Sequence, residues 1–272
     1  MKQSHDSAGL PGRKLKRLLH QLCERAQDDV RRMSSYEESA THQLRVRMKK
    51  MMALLRLADA GIETHTLHAM RQHLRAVKNA CAGNREQVVQ CRLIDKLTRR
   101  FHLAPKHRPQ LMGAALQAPP ASAIHHQLHA MSQLIERTCI ESLTEEQILE
   151  EHARCYRKGR HLMRQAFETT DKRTLHRWRH RVKDLYFQSL ALPQLRGSER
   201  RIRRARRLGH FLGRDQDLAN LATEPAFAMR RSPWVQVINE HRDHLRERYL
   251  SLGHKLYAAP CARFNGKIMS CA

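Results

Sequence analysis

The sequence predicts an all-α protein, on three observations. Leu, Ala, Met, Arg, Gln and Lys, all strong helix formers, dominate a chain of 272 residues. Gly (11) and Pro (9) are sparse for that length, and no run of alternating β-branched residues reads as a strand. Apolar residues instead recur at helical spacing through most of the chain. A hydrophobic content of 41% suffices for a globular core, in one large domain or two modest ones.

Residues 1–12 hold Ser, Gly and Pro and read as a poorly ordered lead. The first helix is expected from Arg13 to Met33, with Leu15, Leu18, Leu19 and Leu22 at helical spacing, ended by Ser34-Ser35. The second runs from Tyr36 to Ala60, with Gly61 placed to stop it at a C′ position. Glu63–Ala82 is the third, broken at Gly83-Asn84, and Arg85–His102 the fourth. Pro105, Pro109, Pro119 and Pro120 fall within 16 residues, so 103–121 reads as the main linker. Helical patterning resumes from Ala123 to Ser142. Thr144, followed by Glu145, Glu146 and Gln147, has the form of an N-cap with an acidic first turn, for a helix reaching Phe167. Thr170-Asp171 opens the next, which runs to Leu192 before Pro193. Ser198 opens another through Leu221, and Pro233–Tyr257 is the last. Mostly short loops predict antiparallel neighbours. The tail 258–272 carries no readable signal.

Lys+Arg is 51 and Asp+Glu is 26, a formal charge of +25 before any histidine titrates. Such an excess repels itself in a compact state, so it implies a polyanionic partner such as nucleic acid, acidic lipid or polyphosphate. No stretch nears 18 uninterrupted apolar residues, which excludes a membrane span, and Met1–Leu10 lacks the apolar segment of a signal peptide. Cys23, Cys81, Cys91, Cys139, Cys155, Cys261 and Cys271 are odd in number and form no C-x-x-C pair, so they read as reduced thiols of a cytoplasmic protein.

The most informative feature is a duplication. His42, Arg45 and Lys49 repeat as His176, Arg179 and Lys183, both H-x-x-R-x-x-x-K, at an offset of 134. Gly83 and its following segment repeat at Gly213 with an offset of 130. Two matches at nearly equal spacing suggest two halves, 13–121 with its linker and 122–257, each a hairpin-rich helical bundle.

At about 100° per residue, His42, Arg45, Lys49 and Arg56 share one helix face, with Lys50 following. His176, Arg179 and Lys183 do the same. So do Arg71, Arg75, Lys78 and, if the third helix continues past Gly83, Arg85, and later Arg200, Arg203, Arg204, Arg207 and Arg214. Solvated helix faces normally mix signs at i,i+4, because like charges there repel. Four stripes of one sign, two in each half, need a compensating anion. The two leading histidines, among cations, are expected to be neutral when the site is empty and to gain a proton when an anion binds.

These residues resemble the CHAD family, the conserved histidine α-helical domains. His42, Arg45, Val46, Lys49 and Lys50 match the family's motif, and His176, Arg179 and Lys183 match its second copy. The segment Leu208…Leu212-Gly213…Asp217-Leu218 resembles the family's second-half pattern. Asp184 departs from it, standing where a second basic residue is common. The resemblance covers about 13–257. It implies two four-helix up-and-down bundles related by pseudo-twofold symmetry, with a basic channel or pocket between them. It also implies binding of inorganic polyphosphate and association with polyphosphate granules.

Polyphosphate carries closely spaced charge and no bases, which suits Arg forks and Lys point charges. Nucleic acid is the second candidate, but single-strand binders interleave aromatic platforms with the basic groove. Here Trp178, Trp234, five Tyr and six Phe are the whole aromatic set, and Phe187 and Phe211 read as core. No catalytic residue, metal site or cofactor is expected. His125, His126 and His129 lack the Glu of H-E-x-x-H, and Asp215 and Asp217 do not share a helix face. A binding protein is therefore expected rather than an enzyme, and nothing in the sequence sets its oligomeric state.

Overall fold

The computed structural model describes residues 11–33, 38–81, 83–102, 120–169, 171–193, 198–224 and 233–259. Among these residues there are nine α-helices and no strand. They are α1 (Pro11–Met33), α2 (Glu38–Leu57), α3 (Thr64–Ala80), α4 (Gly83–Phe101), α5 (Ala121–Arg137), α6 (Glu145–Thr169), α7 (Lys172–Ala191), α8 (Ser198–Leu221) and α9 (Pro233–Leu256). Short 3-10 turns stand at Asp59–Gly61 and Ile140–Ser142. Of the expected lead at 1–12, Pro11 and Gly12 instead open α1 and residues 1–10 lie outside the described residues, as do most of the linker at 103–121 and the tail from 260.

α6 and α7 start at side chains that cap them. Thr144 and Gln147 form a capping box: the Gln147 N–H donates to Thr144 Oγ1 at 3.3 Å and the Thr144 N–H to Gln147 Oε1 at 3.0 Å. Asp171 accepts from the N–H groups of Arg173 and Thr174 at 2.8 and 2.9 Å, opening α7. Gly61 departs from its expected role. α2 stops at Leu57, and Gly61 ends the 3-10 turn without a left-handed φ. A Cβ there would stand 2.6 Å from Leu143 Cγ, so close packing of Leu143 is what asks for glycine.

Packing closes two rings. α1 lies on α2, α2 on α3, α3 on α5 and α5 back on α1. α6, α7, α8 and α9 pack in chain order, and α9 returns to α6. α2 lies against α6 and α7, joining the rings, and α4 packs on α8. α5, which a division at 121 groups with the second half, thus packs among the helices of the first. The reason is its apolar face of Ile124, Leu128, Met131 and Ile135, all buried. Leu19, Leu44, Met51 and Leu55 are likewise completely buried, and truncating any such Leu to Ala costs about 2–5 kcal/mol.

The joint between the rings holds a buried polar network. Gln188 on α7 donates to the Ala53 carbonyl of α2 at 3.1 Å, and its Oε1 meets His152 Nδ1 of α6 at 3.2 Å. Burial first, then Arg201, push His152 down to about 3, so it is neutral. With the Gln188 amide nitrogen committed to Ala53, His152 Nδ1–H is the donor. This network fixes the register of α2, α6 and α7, the helices that carry much of the charge.

Cys23, Cys81 and Cys155 are buried free thiols, and Cys91 and Cys139 are exposed. Among the described residues no helix is long and apolar enough to cross a membrane.

Candidate polyanion-binding site

α7 has one apolar and one basic side. Trp178, Val182 and Leu185 are fully buried. Trp178 stacks edge-on to Tyr249 at 6.0 Å and presses on Gly253 of α9, so α7 cannot roll. That anchoring turns His176, Arg179, His180 and Lys183 the other way.

These side chains form a connected set. Arg179 Nη1 donates to Gln216 Oε1 of α8 at 2.7 Å. With that oxygen engaged, the Gln216 amide nitrogen donates to His176 Nδ1, also at 2.7 Å. A neutral His176 then carries its proton on Nε2 and donates it to His180 Nε2 at 2.9 Å. Desolvation, and then His176, Lys78, Arg179 and Arg56, hold His180 down to about 3. The His180 ring keeps an edge open to solvent, so the crowd of cations is the more persuasive cause.

Arg179 and Lys183 lie across α8 because α8 is bare beneath them. A Cβ on Gly213 would stand 3.1 Å from Arg179 Nη2, and one on Gly209 3.0 Å from Lys183 Cε. Burial there, then Arg179 and Arg206, lower the affinity of the Lys183 ammonium for its proton.

Other expected site residues take structural tasks. Arg45 donates to the Lys78 and Cys81 carbonyls at 2.9 and 2.8 Å, capping the end of α3. Arg71 pairs with Asp59 at 2.7 Å. Arg204 donates to the Lys255 carbonyl at the end of α9 at 2.7 Å. Arg56 bonds the Met52 carbonyl and Asp184, and Arg181 shares that carboxylate at 3.2 Å. Asp184 is buried, which raises its pKa, while both arginines pull it back down. The departure from the family's basic residue here is thus a counterion between two helices.

His42 and Arg75 are exposed on α2 and α3, and Lys49 and Lys78 are half-buried. Lys50 is half-buried on α2; burial first and then Arg47 and Arg25 lower its pKa. Arg200, Arg203 and Arg207 face solvent on α8, with Arg203 near Glu199 at 3.5 Å. The Arg85 side chain lies outside the described residues.

A cavity of about 710 Å³ opens where α2, α6 and α7 meet. Arg56, Arg157, Lys158, His161, Arg177, His180 and Arg181 line it, with Leu162 the one apolar side chain. Among the described residues its lining includes no Asp, Glu, Phe, Tyr or Trp, although Arg157 also pairs with Glu150 outside that lining. Of the expected stripes it receives only Arg56. The α6 residues were missed because Arg157-Lys158 and Arg160-His161 have no counterpart at the repeat offset, although the basic run itself is plain in the sequence. Gln216 was missed because it is uncharged.

A second cavity, about 670 Å³, lies along α4, lined by Arg92, Asp95, Lys96, Arg99 and Arg100. Arg214 of α8 is close enough to act on Lys96, whose pKa desolvation, Arg214, Arg100 and Arg99 all lower. Among the described residues no group of three or more His, Cys, Asp or Glu side chains is placed to hold a metal ion.

The family model described as CHAD domain matches residues 13–224. No curated protein matches the chain.

Proposed function

The chain belongs to the CHAD domain family, and from that premise we propose that it binds inorganic polyphosphate on the basic faces of α2, α6, α7 and α8. One observation carries this reading: the cavity at α2, α6 and α7 is lined by seven Arg, Lys and His side chains and, among the described residues, by no Asp, Glu, Phe, Tyr or Trp. A flexible phosphate chain needs closely spaced cations and nothing that reads a base. A single-stranded nucleic acid would draw on aromatic platforms, and Phe187 is buried while Phe211 is half-buried under Arg248.

In this reading the two helix rings are duplicated four-helix bundles related by a pseudo-twofold axis. Such an axis sets an element against its own counterpart, and α2, with His42, does lie against α7, with His176. The duplicated units divide more naturally after α5 than at 121. The protein acts as a binding module without a catalytic step, in the cytoplasm, at polyphosphate granules.

The deciding experiment compares affinity for long-chain polyphosphate with that for single- and double-stranded nucleic acid at one salt concentration. Polyphosphate is expected to bind at least about tenfold tighter, a difference of about 1.4 kcal/mol. Equal or tighter binding of nucleic acid would overturn the reading.

A further inference from the structure

Two basic cavities stand at different places on the molecule, and cations on α7 and α8 link their surroundings. His180 lines the first, and Arg56, Lys78, His176 and Arg179 all act on it. Arg179 in turn acts on Lys183. Lys183 of α7 lies against Gly209 of α8 and α4 packs on α8, and Lys183, Arg214 and Lys96 all act on His210 of α8, so the line passes from α7 over α8 to α4. Lys96, Arg99 and Arg100 line the second cavity, and Arg100, Arg214 and Lys96 also act on His241 of α9. Acids are few along the way: Asp217 lies beside His210 and Asp95 lines the second cavity.

Resting on the polyphosphate reading above, we propose that the two cavities are the ends of one track, crossing α7 and α8, and that the protein is selective for chains long enough to occupy both. The glycines Gly209 and Gly213 make the crossing passable, since they lower the α8 surface where Arg179 and Lys183 lie. From His176 to Lys183 alone the track advances about 10 Å, at about 1.5 Å per residue. A three-phosphate chain is shorter than that and fills one end only. A long chain bound at the first cavity meets the second at high effective concentration, so the two ends reinforce each other. Selectivity for length then needs no contact with a chain terminus.

The test measures affinity and salt dependence for tripolyphosphate and for long-chain polyphosphate, on the whole protein, per chain bound. The long chain is expected to bind at least about a hundredfold tighter. Its log–log salt slope is also expected to be steeper, since more counterions leave when both ends are filled. The triple variant Lys96→Gln, Arg99→Gln, Arg100→Gln, checked for helix content, is expected to cut the long-chain advantage to below about tenfold. An unchanged advantage in that folded variant overturns the track, and so do equal salt slopes for the two chains in the unaltered protein. Absence of binding by either polyphosphate overturns the polyphosphate reading itself, which is a different result.

Discussion

At the scale of single residues, the same residue type does unlike work at matched positions. Arg45 and Arg179 occupy equivalent places in the repeat, yet Arg45 caps α3 through two carbonyls while Arg179 is held open by Gln216. Charge and spacing identified both and could not separate them, because a cap needs the position of another helix's end. The histidines separate from the arginines through titration. His180 is lowered from 6.5 to about 3 by desolvation and by cations from α2, α3 and α7, and His161, Arg157 and Lys158 of α6 share its cavity. A depressed histidine favours the fold at neutral pH, and that contribution is lost as pH falls from about 6.5 toward 3. His241, lowered to about 4, and His152, lowered to about 3, act in the same direction. A bound polyanion reverses the sign at His180 by favouring its charged form, so binding takes up protons. The thermal midpoint of the empty protein is expected to fall between pH 7 and pH 4.5, about 2–4 °C for each kcal/mol lost. Affinity for polyphosphate is expected to rise about tenfold between pH 8 and pH 5.5, equivalent to one unit of pKa at the site. Titration calorimetry on the double variant His176→Gln, His180→Gln should show a smaller rise; an equal rise would place the proton uptake elsewhere.

At the scale of elements, the helices were legible and their junctions were not. Apolar spacing placed every described α-helix, most ends falling within a few residues, since periodicity is a local property. The cap at Asp171 and the box at Thr144 were legible for the same reason. The packing of α5 on α1 and α3 was not, because it depends on which apolar faces remain open after the others have paired. Part of the cationic excess also serves helix ends: Lys16 bonds the Glu136 and Thr138 carbonyls at the end of α5, Arg45 the end of α3, Arg204 the end of α9. Members of the stripes therefore serve packing as well as surface charge. What does carry the crossing of α7 over α8 is the pair Gly209 and Gly213, and this separates stability from binding. In a helix interior Ala is favoured over Gly by about 1 kcal/mol. Here the new Cβ meets the movable end of Arg179 at 3.1 Å rather than backbone. The variant Gly213→Ala is expected to keep or raise the urea midpoint while weakening polyphosphate binding about tenfold, the worth of one well-made charged contact. Unchanged affinity would mean that Arg179 does not bind from its seat on α8.

At the scale of the whole molecule, one quantity has two opposite consequences. A formal charge of +25 strains the compact state through self-repulsion and draws a polyanion to it. Among the described residues the buried counterions are local: Asp29 between Arg32 and Arg47, Asp184 between Arg56 and Arg181, Asp215 beside Arg242. These buried pairs hold helices in register and leave the surface excess in place. Added salt screens that excess over about 10 Å at 0.1 M and about 3 Å at 1 M, comparable with the spacing of neighbouring cations on a helix face. The empty protein should therefore become more stable as salt rises, with a thermal midpoint higher at 0.5 M than at 0.05 M sodium chloride. Polyphosphate affinity over the same range should fall steeply, because the ion atmosphere then replaces what the ligand supplies. Polyphosphate itself should raise the midpoint most at the lowest salt, where it removes the most repulsion. A protein whose charges served mainly as internal ion pairs would show the reverse, losing stability as salt screened those attractions. Melting curves across the salt series, with and without polyphosphate, distinguish the two by the sign of a single slope.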